Sequence, residues 1–137
     1  MLERFIHTQD ENYTHALEEI KSGKKRTHWM WYIFPQLKFL EYSYKSKFYG
    51  ISGIDEAFAY LGNPILGQRL RVVSMTILNS SINNATDVYG DIDSRKLRSS
   101  MTLFDIVSPN DIFARVLDKY FNGQRDCRTI NIVQQKI

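Results

Sequence analysis

Both tryptophans of the chain lie in one aromatic segment, residues 28–36, together with a histidine and a glutamine. A tryptophan ring can stack on a base or hold a cation, and it carries one N–H donor. We therefore expect Trp29 or Trp31 to form the wall of a ligand site. His28 and Gln36, at the two ends of the aromatic segment, are expected to orient the ligand.

His28 is also the best candidate for proton transfer, because an imidazole exchanges a proton near neutral pH. Asp93 or Asp126 is the expected carboxylate partner of this histidine. A plainer interpretation places Trp29 and its apolar neighbours in the core and gives His28 a structural hydrogen bond. The sequence leaves both interpretations open and names no reaction.

The hydroxyl segment, residues 93–104, combines cations with serine and threonine side chains. Free N–H groups and the dipole at a helix N-terminus favour an anion. The side chains expected to hold a phosphate or carboxylate are Lys96, Arg98, Ser99, Ser100 and Thr102. Serine is mildly unfavourable inside a helix, so the paired serines indicate a specific role, which is either ligand binding or close helix packing.

These two segments lead to a binding hypothesis, in which a pocket between them holds a small anionic metabolite that bears a nucleotide or a phosphate. The alternative is a non-catalytic module for nucleic acid or protein, with the cationic residues 24–26 beside exposed aromatic rings as its footprint. A third interpretation is that both segments only stabilise a core. No cofactor is predicted, and whether the protein is an enzyme stays undecided.

The composition favours one ordinary globular domain, residues 1–137. Hydrophobic residues make up 43% and charged residues 24%, which excludes a disordered or fibrous chain. A single cysteine, Cys127, and three scattered histidines exclude a disulfide framework and a recognisable metal motif. The net charge of +3 favours anionic partners only weakly.

The chain begins with charged residues rather than an apolar leader, and its longest apolar run covers only residues 29–34. A helix that crosses a bilayer needs about 20 apolar residues. We therefore expect a cytoplasmic protein without a membrane partner, and a lone thiol suits a reducing compartment.

Apolar residues recur at helical spacing in seven places, and no strand-like alternation persists. The pattern predicts an all-α fold, a single compact globular domain of about six to eight helices. Stop signals occur at Gly23, Gly62 and Asn122. The expected start signals are Thr8 or Asp10, Asn63, Asp93 or Ser94, and Asn110.

Three parts of the chain are less clear than these helices. A short helix is expected at residues 85–89, stopped by Gly90, and a weak helix between residues 126 and 137. Ile65 is expected on the core face of the helix that begins after Asn63. Residues 38–53 fit either a helix or an extended edge and stay unassigned.

The order of these motifs resembles, nearly end to end, the bacterial domain-of-unknown-function family numbered 1810, whose members sometimes carry the label calpastatin. The matching stretches include His-Trp-Met-Trp-x-Ile-Phe-Pro-Gln-Leu at 28–37, Pro-x-Leu-Gly-x-Arg-Leu at 64–70, and residues 96–104 throughout. The resemblance implies an all-α domain. It implies no activity, substrate or catalytic residue.

Overall fold

The computed structural model describes residues 2–38, 48–81 and 84–135 of the chain. Within these ranges the backbone forms seven helices and no β-strand, which confirms the all-α prediction. They are α1 (Glu3–Ser22), α2 (Met30–Ile33), α3 (Ile54–Gly62), α4 (Leu66–Leu78), α5 (Ala85–Val107), α6 (Ile112–Phe121) and α7 (Cys127–Gln135). No helix in these ranges combines the length and the apolar composition that a bilayer crossing requires.

Helix α1 begins earlier than its capping signals predict. Thr8 and Asp10 lie inside the helix, so their predicted role as caps is wrong. The reason is tertiary: Phe5 is fully buried and its ring meets the Tyr60 ring edge-on at 5.1 Å, which extends the buried face towards the N-terminus. The predicted end is confirmed, since Gly23 terminates α1 in the left-handed conformation with φ 74°.

The connection from α3 to α4 follows the predicted capping chemistry. The Asn63 side-chain oxygen accepts hydrogen bonds from the backbone N–H groups of Ile65 and Leu66, at 2.9 and 3.0 Å. Leu66 is fully buried and starts the core face of α4. Ile65 is 45% exposed, so its predicted place in the core is wrong: it is the residue before the first turn of α4, and the buried face of that helix begins at Leu66.

Helix α5 consists of two helical parts that meet at a kink. The predicted stop at Gly90 is confirmed as the break between them, because its φ of 80° and ψ of 167° are not helical. The helix is capped by Asn84, whose side chain accepts from the Thr86 N–H. The predicted caps Asp93 and Ser94 therefore lie inside α5 and are wrong as helix starts.

Helix α6 is capped one residue later than predicted. The Asp111 carboxylate accepts from the Ile112 N–H at 2.7 Å, whereas Asn110 takes a positive φ of 60° in the preceding turn. The predicted stop is confirmed, because Asn122 ends α6 in the left-handed conformation.

The core is built around α5, which packs against α2, α3, α6 and α7, while α4 lies against α1, α3 and α6. The largest fully buried side chains are Trp29, Tyr60, Phe5, Phe34, Phe104 and Phe113. Part of the unassigned stretch, residues 39–47, lies outside the described residues. At its flanks, buried Leu37 and Ile51 form an isolated parallel bridge.

Candidate ligand-binding site

A cleft of about 580 Å³ opens between α5, the loop after α2 and the start of α7. Four of its lining side chains are cations: Arg95, Lys96, Arg98 and Arg128. The other lining side chains are Gln36, Ile92, Ser99 and Asp126. The lining side chains carry more positive than negative charge, and part of this charge is balanced by Asp91, which is ion-paired with Arg95, and by Asp93, whose Oδ1 lies 3.6 Å from Lys96 Nζ.

The cleft joins the two segments that the sequence analysis selected. Gln36 comes from the end of the aromatic segment, and Lys96, Arg98 and Ser99 come from the hydroxyl segment. Helical spacing in α5 places Lys96 and Ser99 on one side of the helix. Arg98 also lines the cleft, although it is two positions after Lys96 and leaves the helix in another direction. Gln36 reaches them because α2 packs against α5.

Two buried N–H donors at the cleft stand out. In the described part of the chain, neither Gln36 Nε2 nor Arg98 Nε has a hydrogen-bond partner. The Gln36 residue is only 7% exposed. Leaving a buried donor unsatisfied costs about 1–3 kcal/mol, so a hydrogen-bond acceptor within reach of either group would be stabilising.

The ammonium group of Lys96 contacts the aromatic segment at the Trp31 ring. Its Nζ lies 3.4 Å from the centre of the Trp31 ring and 3.6 Å from Asp93 Oδ1. The Lys96 side chain is only 8% exposed. One face of the half-buried Trp31 is therefore covered by an ammonium group, and Trp31 does not line the cleft as the stacking wall that the sequence suggests.

Asp93 bridges two lysine–tryptophan pairs. Its Oδ2 lies 3.0 Å from Lys25 Nζ, and Lys25 Nζ lies 5.1 Å from the Trp29 ring centre. Its other oxygen meets Lys96. Both carboxylate oxygens of Asp93, a candidate proton-transfer group, therefore contact lysines. In this position Asp93 connects the aromatic segment to α5.

The remaining residues expected at the ligand do not line the cleft. His28 is exposed on the surface, and Trp29 is buried in the core at 1% exposure. Ser100 is fully buried. Thr102 is also fully buried. Its hydroxyl donates to the Arg98 carbonyl at 2.7 Å and accepts from the backbone N–H of Asp126 at 2.9 Å.

Two lining residues that the sequence analysis did not name, Ile92 and Arg128, lie outside both selected segments. Ile92 lies one helical turn before Lys96, so spacing along α5 could have found it. Arg128 has no such local signal, because it reaches the cleft only when α7 docks on α5. Asp126 caps α7 by accepting from the Thr129 N–H at 3.1 Å and from the Thr129 hydroxyl.

A second polar cluster surrounds Glu19 and involves the opposite end of the aromatic segment. The Glu19 carboxylate accepts from the backbone N–H of Arg26 at 2.6 Å, from the N–H and hydroxyl of Thr27, and from Trp29 Nε1 at 2.9 Å. His15 Nε2 lies 2.9 Å from it. Burial alone raises the pKa of Glu19, but the hydrogen bonds outweigh this effect and lower that pKa to about 2. The cluster fastens the aromatic segment to α1.

In the described ranges, no three side chains of histidine, cysteine, aspartate or glutamate lie together in a group that could hold a metal ion. The polar chemistry of the cleft comes instead from guanidinium, ammonium, amide and hydroxyl groups. These groups bind anions and hydrogen-bond acceptors.

The architecture is shared with a known crystal structure. The conserved hypothetical protein Rv1873 from Mycobacterium tuberculosis, solved at 1.38 Å, is 39% identical and superposes with a TM-score of 0.94, covering 97% of this chain and 96% of its own. No curated protein shows significant similarity to the sequence. The family model described as "Protein of unknown function (DUF1810)" matches residues 1–133, and the chain therefore belongs to this family.

Proposed function

We propose that the cleft binds a small phosphate-bearing metabolite. The observation that carries this proposal is the pair of buried donors, Gln36 Nε2 and Arg98 Nε, which lack protein partners in the described ranges. A phosphate group offers acceptor oxygens for both donors and negative charge for the four surrounding cations. The lining side chains include four cations and one carboxylate, and Asp91 and Asp93 balance part of the positive charge at Arg95 and Lys96.

The size of the cleft supports a small ligand. Its volume of about 580 Å³ falls within the range of about 300–1,000 Å³ that is typical of small-molecule sites. A phosphorylated metabolite leaves part of this space for its organic portion, and Ile92 offers that portion an apolar contact at the rim.

The alternative of a nucleic-acid or protein module has less support. Lys25, the middle residue of the cationic run 24–26, is bound to Asp93 and donates to the Thr27 carbonyl at 2.6 Å. Trp29 is buried, and one face of the half-buried Trp31 is covered by Lys96, so neither tryptophan is the fully exposed ring that a stacking platform needs.

The proposal concerns binding and assigns no reaction. His28 is exposed and outside the cleft, and Asp93 is engaged by two lysines. A nucleotide base has no open tryptophan face to stack on in this cleft. The proposal therefore rests on recognition of the phosphate rather than of a base.

A thermal-shift panel of inorganic phosphate, sugar phosphates and nucleotides tests the proposal, because a ligand that binds the native state raises the melting temperature. Isothermal titration of the best binder then compares two variants. Arg98→Gln removes the charge and the unpartnered Nε, and we expect it to weaken binding at least about tenfold. Arg115→Gln removes an equally charged, exposed side chain on α6 and should leave binding unchanged.

Two results would contradict this function. One is a flat response across the whole panel. The other is equal weakening by Arg98→Gln and Arg115→Gln, which would indicate attraction to net charge rather than to the cleft. Tight binding of a single-stranded oligonucleotide with a steep salt dependence would favour the interaction module instead.

A further inference from the structure

A smaller hollow of about 250 Å³ lies beside the cleft on the same helix. Arg95 and Arg98 line both spaces. Successive residues of a helix are rotated by about 100°, so Ser94 lies to one side of this arginine pair and Lys96 to the other. Asp91, one turn before Arg95, forms an ion pair with it. The two arginines therefore form a ridge between neighbouring sites, and one ligand can lie across it.

The small hollow differs from the cleft in its chemistry. Besides the shared arginines and Asp91, which is ion-paired with Arg95, it offers the neutral polar side chains of Asn84, Thr86 and Ser94, which can both donate and accept hydrogen bonds. The Thr86 and Ser94 hydroxyls are 3.4 Å apart, a long contact that leaves both with bonding capacity. Such groups are better suited to bind the hydroxyl groups of a ligand than to bind a second anionic group.

Two aromatic residues, Tyr120 and Phe121, complete the small hollow. The Tyr120 hydroxyl is already engaged, because it donates to the Ile77 carbonyl and pairs with the Ser80 hydroxyl at 3.0 Å. Tyr120 therefore contributes apolar ring surface rather than a polar group. Ring surface next to hydroxyl and amide groups suits a molecule with alternating C–H and O–H faces.

We infer that the ligand is a phosphate ester of a polyhydroxylated compound, with its phosphate in the cleft and its hydroxyl-bearing part in the small hollow. This inference rests on the proposed function, because the phosphate is the part that the cleft holds. The volume of the small hollow lies below that of a complete ligand site, so it suits one sugar-sized moiety. The Arg95–Arg98 ridge sits where the ester joins the two parts.

Isothermal titration with three probes tests the inference: ribose 5-phosphate, inorganic phosphate and ribose. We expect ribose 5-phosphate to bind about tenfold more tightly than phosphate, which corresponds to one or two added hydrogen bonds. Thr86→Val removes an exposed hydroxyl at constant shape and should weaken ribose 5-phosphate binding about fivefold without changing phosphate binding. Thr76→Val is the matched control on α4 and should change neither affinity.

Three results of these titrations would contradict the inference. Equal affinities for phosphate and ribose 5-phosphate, unaffected by Thr86→Val, would overturn it and leave the proposed function standing. Equal weakening of both probes by Thr86→Val would also overturn it, because the hydroxyl would then act on the phosphate or on the fold. Absence of binding by both phosphorylated probes would overturn the inference and the proposed function together.

Discussion

Glu19 and Gln36 are both buried polar side chains attached to the aromatic segment, and they differ in how fully they are hydrogen-bonded. Glu19 accepts from two backbone N–H groups, a hydroxyl and an indole, and it also meets an imidazole. Gln36 Nε2 has no partner in the described ranges. A saturated cluster stabilises the fold, whereas an unsaturated donor in a cleft favours a ligand.

The aromatic segment looks like a single motif in the sequence, but its two ends have different surroundings in the structure. Its first part, with Trp29 donating to Glu19, fixes the segment on α1. Its last part delivers Gln36 to a cationic cleft on α5. The five predictions that follow test this division, from the largest expected change in the free energy of unfolding to the smallest.

Trp29→Ala should lower the free energy of unfolding by about 3–5 kcal/mol, because a large buried ring is removed. Urea denaturation at neutral pH measures this loss. Trp31→Ala is the comparison, since Trp31 is half-buried and should cost less. A loss below about 1 kcal/mol for Trp29→Ala would place its ring on the surface and contradict the division.

Glu19→Gln should cost about 2–3 kcal/mol, because an amide replaces a buried charged acceptor and turns one oxygen into a donor that faces other donors. Denaturation at neutral pH measures the cost. Binding of the best phosphorylated ligand should stay at the wild-type affinity, since Glu19 does not line the cleft. A parallel loss of binding would show that the two clusters act together.

The stability of the protein should fall in acid through Glu19. The pKa of this carboxyl is lowered from 4.5 to about 2 in the folded protein, so its contribution is complete above pH 4.5 and is lost as the pH falls towards 2. Other carboxylates titrate in wild type and variant alike. The free energy of unfolding of Glu19→Gln should therefore fall less steeply over this window, and parallel curves would exclude Glu19 as the cause.

Lys96→Ala should lower the free energy of unfolding by about 1 kcal/mol through the lost contact with the Trp31 ring. It should also weaken phosphate binding, because Lys96 lines the cleft. Denaturation and titration of one sample separate the two effects. A loss well above about 2 kcal/mol with unchanged binding would make this lysine purely structural.

Gln36→Met should change the free energy of unfolding least, or raise it by up to about 1 kcal/mol, because an unpartnered buried amide becomes apolar at similar volume. Binding of the phosphorylated ligand should weaken about tenfold at the same time. Denaturation and calorimetry measure the two quantities. A large destabilisation with unaltered binding would mean that Gln36 belongs with Glu19 as a structural residue.

The helix ends that depend on local chemistry were predictable from the sequence. Gly23, Asn63 and Asn122 act as expected, because each cap is formed by residues within a few positions. Thr8 and Asp10 misled the prediction, since a distant packing partner of the first helical turn extends α1 past them. A sequence contains more residues that could cap a helix than helix starts, and tertiary burial decides which of them is used.

The site was predictable only where one helix presents it. Lys96 and Ser99 share a side of α5, as their i,i+3 spacing indicates, whereas the place of Arg98 at the cleft does not follow from that spacing. His28 and Trp29 lie before the start of α2 at Met30, and neither lines the cleft. Arg128 depends on the docking of α7, which no local pattern encodes.

The kink at Gly90 has a consequence for how the small hollow can vary. An added Cβ at this position meets no atom within 4 Å, yet φ 80° with ψ 167° is a backbone state that essentially only glycine adopts. The obstacle to replacement is therefore torsional rather than steric, about 1–3 kcal/mol. An exposed and uncrowded residue thus sets the angle between the turn that carries Thr86 and the helix that carries Ser94, so recognition can be altered from a position that touches no ligand.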